Sequence, residues 1–264
     1  MTDRTAIVTG ASGGIGREAA KILSQSGCKV YDFSRSDKPQ DGVIHVSCDV
    51  TDEASVKAAV KAVIEQSGRI DILVCCAGMG ISGAVEFTDP EDSCRQINVN
   101  LFGTDRVVRA VLPYMRSQRS GRLVMTSSVA AVTPIPFQTW YSASKAAINS
   151  YAMALANEVR PYGIGVAVVM PGDIKTGFTA ARKKSAEGNE EYSGRIERSV
   201  ARMEKDEQNG LPASYAGKVI AKAALRKRPK PLTSTGFVYS LFCVLVKVLP
   251  ARFAQWVLYR LYAK

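Results

Sequence analysis

The sequence predicts an α/β protein with a mostly parallel, doubly wound sheet covered by helices on both faces. Short runs of β-branched residues alternate with longer helical stretches along its 264 residues, and several of these runs are apolar throughout. Continuous apolar strands are typical of a sheet buried on both sides. The predicted strands are 5–9, 29–33, 43–46, 70–74, 122–126 and 165–170.

The helical stretches between the strands have the pattern of sheet-covering helices. Residues 14–26 follow a glycine cluster, and in 53–66 the residues Val56, Val60 and Val63 recur at helical spacing. Each strand followed by such a helix forms a βαβ unit, which requires parallel strands. No repeat or linker interrupts the alternation, so residues 1–236 are predicted to form one domain.

Two segments depart from the alternation. Residues 177–210 are polar and helical only in patches, a pattern typical of a lid over a binding site. Residues 237–264 are apolar and basic, and we expect them to form a helical C-terminal extension. Packing against protein is the first expectation for this extension, and contact with a membrane surface is the alternative.

Composition excludes several classes of protein. The single histidine, His45, has no partner of zinc-ligand type, so no metal site is expected. The six cysteines lack disulfide spacing and are expected to be reduced. No signal peptide precedes the first strand, and no apolar run reaches the roughly 18–20 residues of a membrane span, so a cytoplasmic location is expected. No recognition motif accompanies the net charge of +11, so nucleic acid is not an expected partner.

A glycine-rich turn joins the first strand to the first helix. Gly10, Gly14 and Gly16 permit a tight turn and close approach of a phosphate, and the helix N-terminus supplies free N–H groups. This position between strand and helix predicts a dinucleotide site.

Tyr141 and Lys145 form the candidate catalytic pair. They share one helix face a turn apart, and the ammonium is expected to lower the phenol's pKa from about 10, which favours general acid catalysis. Ser128 follows the strand 122–126, at the edge of the sheet where doubly wound folds bind ligands. It is placed to donate a hydrogen bond to a carbonyl that Tyr141 protonates.

These motifs together resemble the classical short-chain dehydrogenases/reductases over residues 4–236. The resemblance implies a Rossmann domain and hydride transfer between a nicotinamide and a carbonyl or alcohol carbon. Tyr141 is then the general acid/base, and Ser128 polarises the substrate oxygen. Lys145 holds the nicotinamide ribose, and Asn100 organises a proton relay through water. The family also implies a homo-oligomer, dimer or tetramer, paired through the helix of Tyr141.

The resemblance implies the cofactor site as well. NAD-dependent members carry an acid at the end of the second strand, where this chain has Ser34 followed by Arg35, a match for a 2′-phosphate. NADP(H) is therefore favoured, and NAD(H) is the alternative because Asp32 shares the strand face of Ser34. The implied cofactor residues are Gly10, Ser12, Gly13, Gly14, Ile15, Gly16, Arg35, Asp49, Val50, Ala77, Gly78, Asn100, Tyr141, Lys145, Pro171, Gly172, Ile174 and Thr176.

The substrate is expected to be a bulky apolar secondary alcohol or ketone. Ile135 and Phe137 lie in the segment with which the family lines its pocket, next to Ser128 and Tyr141. The lid and extension resemble the branch of steroid dehydrogenases and acyl-lipid ketone reductases. A hydroxysteroid is the first expectation, and an acyl-lipid ketone or 3-ketoacyl thioester is the alternative. A non-catalytic nucleotide-sensing scaffold is the alternative from a different class.

One motif departs from the family pattern. Cys75-Cys76-Ala77-Gly78 stands where the family has Asn-Asn-Ala-Gly, and thiols are poor hydrogen-bond partners. Adjacent strand residues face opposite sides of a sheet, so we expect Cys75 and Cys76 to be buried spacers.

Overall fold

The computed structural model describes residues 4–264 and contains a seven-stranded parallel sheet. Its strands are β1 (Arg4–Thr9), β2 (Cys28–Ser34), β3 (Val43–Ser47), β4 (Ile72–Cys75), β6 (Gly121–Thr126), β7 (Ile164–Met170) and β11 (Leu232–Ser234). Their order across the sheet is β11-β7-β6-β4-β1-β2-β3, and every neighbouring pair is parallel. The predicted fold class is confirmed.

Helices cover both faces of the sheet. On one face lie α1 (Gly14–Gln25) and α8 (Ala213–Leu225). On the other lie α2 (Glu53–Ser67), α4 (Gly103–Gln118) and α5 (Thr139–Val159). The predicted stripe of α2 is buried in this second layer, including Val56, Val60 and Val63. The short α3 (Pro90–Ile97) precedes α4.

The strand order reverses direction at β1. The chain runs from β1 to β2 and β3 on one side, whereas β4, β6 and β7 lie on the other. Connections that leave in opposite directions open a crevice at the carboxyl ends of the strands, and this is where doubly wound sheets bind ligands.

The lid is more ordered than its composition indicates. It contains α6 (Phe178–Ala181), β9 (Lys183–Lys184) and the 14-residue α7 (Arg195–Gln208). The helix α7 buries Ile196, Val200 and Met203 at helical spacing. Two short parallel pairs hold the lid's base, β9 with β5 (Ile81–Ser82) and β10 (Leu211–Pro212) with β8 (Ile174–Lys175).

The C-terminal extension is helical, as expected, with α9 (Phe237–Val248) and α10 (Ala251–Tyr262). Cys243 of α9 joins the core layer of α5, and Ala263 packs beside Ile196 of the lid. The outward faces of both helices carry exposed large apolar side chains: Phe237, Val238, Leu241, Val244, Leu245, Val248, Phe253, Trp256, Tyr259 and Leu261. Across residues 4–264, no helix combines the length and apolarity required to span a bilayer.

The vicinal cysteines lie on opposite sides of the sheet, as expected. Cys75 belongs to the core layer of α5 and Cys76 packs against that of α1. Burial raises the pKa of Cys76 to about 11 and that of Cys75 further, so both remain thiols at neutral pH. The Thr9 hydroxyl accepts from the backbone N–H groups of Cys76 and Ala77 at 3.1 and 3.0 Å, so this junction keeps side-chain hydrogen bonds without asparagine.

Candidate active site

The glycine-rich turn has the conformation that a dinucleotide cradle requires. Gly10 and Gly14 have φ of +69° and +54°, which favour glycine. A Cβ at Gly16 would lie 2.5 Å from the Gly10 carbonyl oxygen, whereas one at Gly13 would meet nothing within 4 Å. Gly13 also leaves the start of α1 without a side-chain cap. Open space beside uncapped helix N–H groups fits a pyrophosphate.

Asp32 contacts this turn directly. Its buried carboxylate accepts hydrogen bonds from the Ala11 N–H at 3.0 Å and from the Ser34 hydroxyl at 2.8 Å. The alternation of β2 correctly predicts that Asp32 and Ser34 share a face, but it does not reveal the contact with Ala11. The carboxylate therefore stabilises the loop from within the fold.

The remaining predicted residues of the adenosine side lie at the ends of β2 and β3. Arg35 is exposed, and Arg17 of α1 donates to the carbonyls of Lys38 and Pro39 at 3.2 and 3.0 Å. Asp49 accepts two hydrogen bonds from Thr51, which lower its pKa. Val50, also predicted, is buried.

Asn100 is held by both atoms of its amide. Its Oδ1 accepts from the Met79 N–H at 2.8 Å, and its Nδ2 donates to the Met79 carbonyl and the Ser144 hydroxyl, both at 3.0 Å. The backbone there forms a π-helical turn, 98–102, between α3 and α4. Such turns are frequent at functional sites because they re-aim one side chain.

Tyr141 and Lys145 lie on α5 as predicted. The Lys145 Nζ donates to the Thr126 carbonyl at 2.9 Å and lies 5.7 Å from the centroid of the Tyr141 ring. Gly78 lies between Asn100 and Lys145, since a Cβ there would be 3.3 Å from Asn100 Oδ1 and 3.7 Å from Lys145 Nζ. The structure thus places Asn100, the predicted relay residue, close to the predicted catalytic pair Tyr141 and Lys145.

The expected lowering of the Tyr141 pKa below about 10 is not what the structure gives. Burial raises the pKa of Tyr141 to about 12, and a hydrogen bond with Ser128 only partly opposes this increase. Burial also lowers the pKa of Lys145 to about 8. Desolvation is the largest cause for both groups, so the pKa of Tyr141 lies above its ordinary value although Lys145 is nearby.

Ser128 and residues 171–176, which follow β7, form the remaining border of the crevice. Ser128 Oγ accepts from the Ala130 N–H at 3.2 Å and lies 3.5 Å from the Pro171 carbonyl oxygen. Thr176 faces the glycine turn, since a Cβ at Gly14 would lie 3.8 Å from its side chain. The predicted Pro171-to-Thr176 segment therefore borders the same crevice as the glycine turn. Ile174 is buried in β8.

Two residues at this segment lie outside the sequence prediction. The Gly172 N–H donates to Thr235 Oγ1 at 3.1 Å, and the Tyr239 ring of α9 covers Gly172 so closely that a Cβ there would lie 2.5 Å from it. The Tyr239 hydroxyl donates to Asp173 Oδ2 at 2.6 Å. The extension therefore contacts the predicted nicotinamide segment.

The predicted substrate side is closed by the lid. Phe178 of α6 lies 5.7 Å from Tyr141, centroid to centroid. Phe137 has φ of +60° and packs edge-on against Tyr192 at 5.7 Å, in a cluster with Ile196 of the lid. Ile135 is half-buried just before α5.

Comparisons with known proteins agree with this geometry. A family model described as short chain dehydrogenase matches residues 4–187. A 3-ketodihydrosphingosine reductase of Bacteroides thetaiotaomicron is 41% identical over 267 residues and covers 100% of this chain and 99% of the relative.

Two solved structures of dehydrogenases have the same fold as this chain. A short-chain dehydrogenase from Streptomyces avermitilis has a TM-score of 0.84 at 28% identity, covering 97% of this chain and 96% of that one. The aldohexose dehydrogenase of Thermoplasma acidophilum has a TM-score of 0.74 at 28% identity, covering 88% and 92%. The chain belongs to the short-chain dehydrogenase/reductase family and is an NAD(P)-dependent oxidoreductase of the alcohol/ketone type.

Proposed function

We propose that this protein is an NADPH-dependent reductase of long-chain ketones of the 3-ketodihydrosphingosine type. The observation that carries the proposal is the similarity to the Bacteroides reductase, which extends through the lid and the extension, beyond the part matched by the family model. This similarity favours the acyl-lipid ketone alternative over a hydroxysteroid.

The chain's own residues have distinct roles in the proposed reaction. When bound in this crevice, NADPH would supply the hydride for reduction of the ketone carbon. Tyr141 donates its proton to the ketone oxygen, while Ser128 donates a hydrogen bond to the same atom. Lys145, anchored on Thr126, holds positive charge beside the phenol as it loses its proton. Asn100, fixed by Met79, positions the water that returns a proton.

The proposed preference for NADPH rests on the end of β2. Arg35 is exposed there and forms no ion pair within residues 4–264, whereas the Asp32 carboxylate is already engaged by Ala11 and Ser34. We expect Arg35→Ala to lower kcat/KM with NADPH about 10- to 100-fold and to change it less than about twofold with NADH. Arg116→Ala, which removes an exposed arginine from α4, is the control. An equal loss with both cofactors would contradict the preference.

We also propose that the extension contacts an anionic membrane surface. Phe237 is 82% exposed, and most of the exposed large apolar side chains lie on α9 and α10. The extension carries four cations and no acid: Lys247, Arg252, Arg260 and Lys264. Exposed apolar and cationic groups on one pair of helices match the chemistry of an anionic lipid surface. The proposed homo-oligomer pairs through α5.

Trp256 provides the test of membrane contact. In a Trp140→Phe background, its emission is expected to shift to shorter wavelength with anionic vesicles and less with zwitterionic ones. Tyr259→Ser, 46% exposed in the native chain, should weaken vesicle binding, and Tyr215→Ser, 41% exposed on α8, should not. If vesicles are not bound and Tyr259→Ser changes the sedimentation mass, the surface is a subunit contact instead.

The substrate proposal is tested by NADPH oxidation with three ketones. We expect turnover of 3-ketodihydrosphingosine to exceed that of a 3-ketoacyl thioester and a ketosteroid. Tyr141→Phe should reduce it at least about 100-fold. Tyr151→Phe removes another half-buried hydroxyl of α5 and is the matched control. Preference for the thioester or the steroid would move the proposal to that ketone, and NADPH binding without any turnover would support the scaffold.

A further inference from the structure

A buried ion pair lies inside the lid. Arg182, which follows α6, has a side chain only 1% exposed and is paired with Glu207 of α7. Thr179 Oγ1 donates to the other Glu207 oxygen at 2.5 Å. Removing two charges from water carries a large desolvation cost, so packing alone is a weak reason for such a pair.

The pair lies on the substrate side of Tyr141. The Arg182 guanidinium is 5.6 Å from the centroid of the Phe178 ring, which in turn lies 5.7 Å from the Tyr141 ring. A Cβ at Gly80 would contact Phe178 at 2.9 Å and Arg182 Nε at 3.6 Å. Both charges act electrostatically on the phenol of Tyr141, since Arg182 lowers the pKa of Tyr141 and Glu207 raises it.

One nitrogen of the guanidinium, which carries two N–H groups, has no acceptor in the described part of the chain. Its Nη2 donates to Glu207, and the Gln138 amide, turned so that its oxygen faces the guanidinium, accepts from Nε at 3.2 Å and Nη2 at 3.3 Å. Nη1 is buried and has no hydrogen-bond partner within residues 4–264. A buried charged donor without an acceptor is costly, so this atom favours a ligand that brings an oxygen.

We propose that Arg182 is a specificity residue whose Nη1 donates to a hydroxyl oxygen two carbons from the reacting ketone carbon. The inference rests on the proposed function, in which the C1 hydroxyl of 3-ketodihydrosphingosine supplies that oxygen. A site built to hydrogen-bond a hydroxyl discriminates strongly against an analogue that lacks it, because the donor is then left unpaired.

The experiment pairs two substrates with three proteins. The substrates are 3-ketodihydrosphingosine and the same 2-amino-3-ketone without the C1 hydroxyl, both presented in the same detergent. The proteins are the native chain, Arg182→Met and the double variant Arg182→Met/Glu207→Gln, which leaves no unpaired carboxylate. NADPH binding, measured by fluorescence, reports whether each variant is folded.

We expect kcat/KM for the hydroxylated ketone to fall about 10- to 100-fold in both variants, and that for the deoxy ketone to fall less than about threefold. Equal losses on the two ketones would assign Arg182 to lid structure and overturn the inference while the proposed function stands. If the native chain binds NADPH but reduces neither ketone, the proposed function fails and this inference fails with it.

Discussion

The cofactor side and the substrate side of this molecule are built in different ways. On the cofactor side, residues 4–176 form six of the seven strands of the parallel sheet, and β11 supplies the seventh. The strand β4 is buried along its whole length, and the glycine turn is shaped by backbone conformation. Residues 177–264 include two-residue strands and side-chain contacts such as Tyr239 to Asp173 and Tyr262 to Asp206. Their outer faces stay exposed on α9 and α10.

This difference indicates which part of the enzyme can change its substrate specificity without loss of the fold. A dinucleotide cradle made from backbone N–H groups and glycines tolerates few substitutions. A lid held by individual side chains can be altered one contact at a time without loss of the sheet. Substrate specificity in this fold is therefore expected to reside in the lid, 177–210, and the extension, 237–264, and perturbations of the two sides should separate experimentally.

The largest expected difference between the two sides is in stability. Leu73 of β4 and Ile196 of α7 are both fully buried. Leu73→Ala removes packing from the sheet and should lower the free energy of unfolding by about 3 kcal/mol. Ile196→Ala should lower the urea midpoint less while speeding hydrogen exchange in α7, because the lid can open without the sheet. Equal midpoint losses would mean that the lid and the sheet unfold as one unit.

The next largest expected effect on stability comes from a substitution at one of two glycines in the glycine-rich turn. A Cβ at Gly16 would lie 2.5 Å from a backbone oxygen, so Gly16→Ala should cost about 2 kcal/mol of stability. Gly13 is extended and has open space, so Gly13→Ala should change stability by less than about 1 kcal/mol and raise KM for NADPH instead. Urea unfolding and cofactor kinetics measure both. A similar stability loss in the two variants would contradict this account of the turn.

The pH dependence follows from Lys145. Its pKa of about 8 means that its charge is present below pH 8 and is lost above it, whereas Tyr141, with a pKa of about 12, stays protonated. We expect the reduction rate to fall up to tenfold per pH unit above about pH 8. Lys145→Arg keeps its charge and should remove this decline from the activity that remains.

Protein stability provides the control for this decline. The folded pKa of Lys145 lies below its ordinary value of 10.5, so between about pH 8 and 10.5 the unfolded chain binds more protons at this residue. The contribution of Lys145 to stability therefore rises over the range in which activity falls. A simultaneous loss of activity and of the urea midpoint would point to unfolding and contradict the assignment to Lys145.

The sequence predicts the glycine turn, the shared helix of the catalytic pair and the parallel sheet because these signals are local. The glycine spacing and the pair Tyr141 and Lys145 depend on a turn and a helix, and the parallel order follows from βαβ alternation. The lid helix α7 also carries a readable stripe at Ile196, Val200 and Met203, but the high average polarity of 177–210 obscures it. A search for period rather than composition would find this helix.

Other features could not be predicted because they join segments far apart in the chain. The contact of Asp32 with Ala11 depends on how Gly10 turns the backbone, and the Tyr239 ring reaches Gly172 only through the path of α9. The pKa of Tyr141 depends on burial by the lid, and spacing along α5 carries no information about that burial.

The smallest expected effects come from two tyrosines of the extension. Tyr239 donates to Asp173 beside the predicted nicotinamide segment, whereas Tyr262 donates to Asp206 of the lid helix at 3.3 Å. Each hydroxyl contributes a single hydrogen bond, so its removal should change kinetic constants about two- to fivefold. Tyr239→Phe should raise KM for NADPH, and Tyr262→Phe should raise KM for the ketone. If both variants raise the same KM, α9 and α10 act on the active site together. The division between a cofactor side and a substrate side would then not apply to the extension.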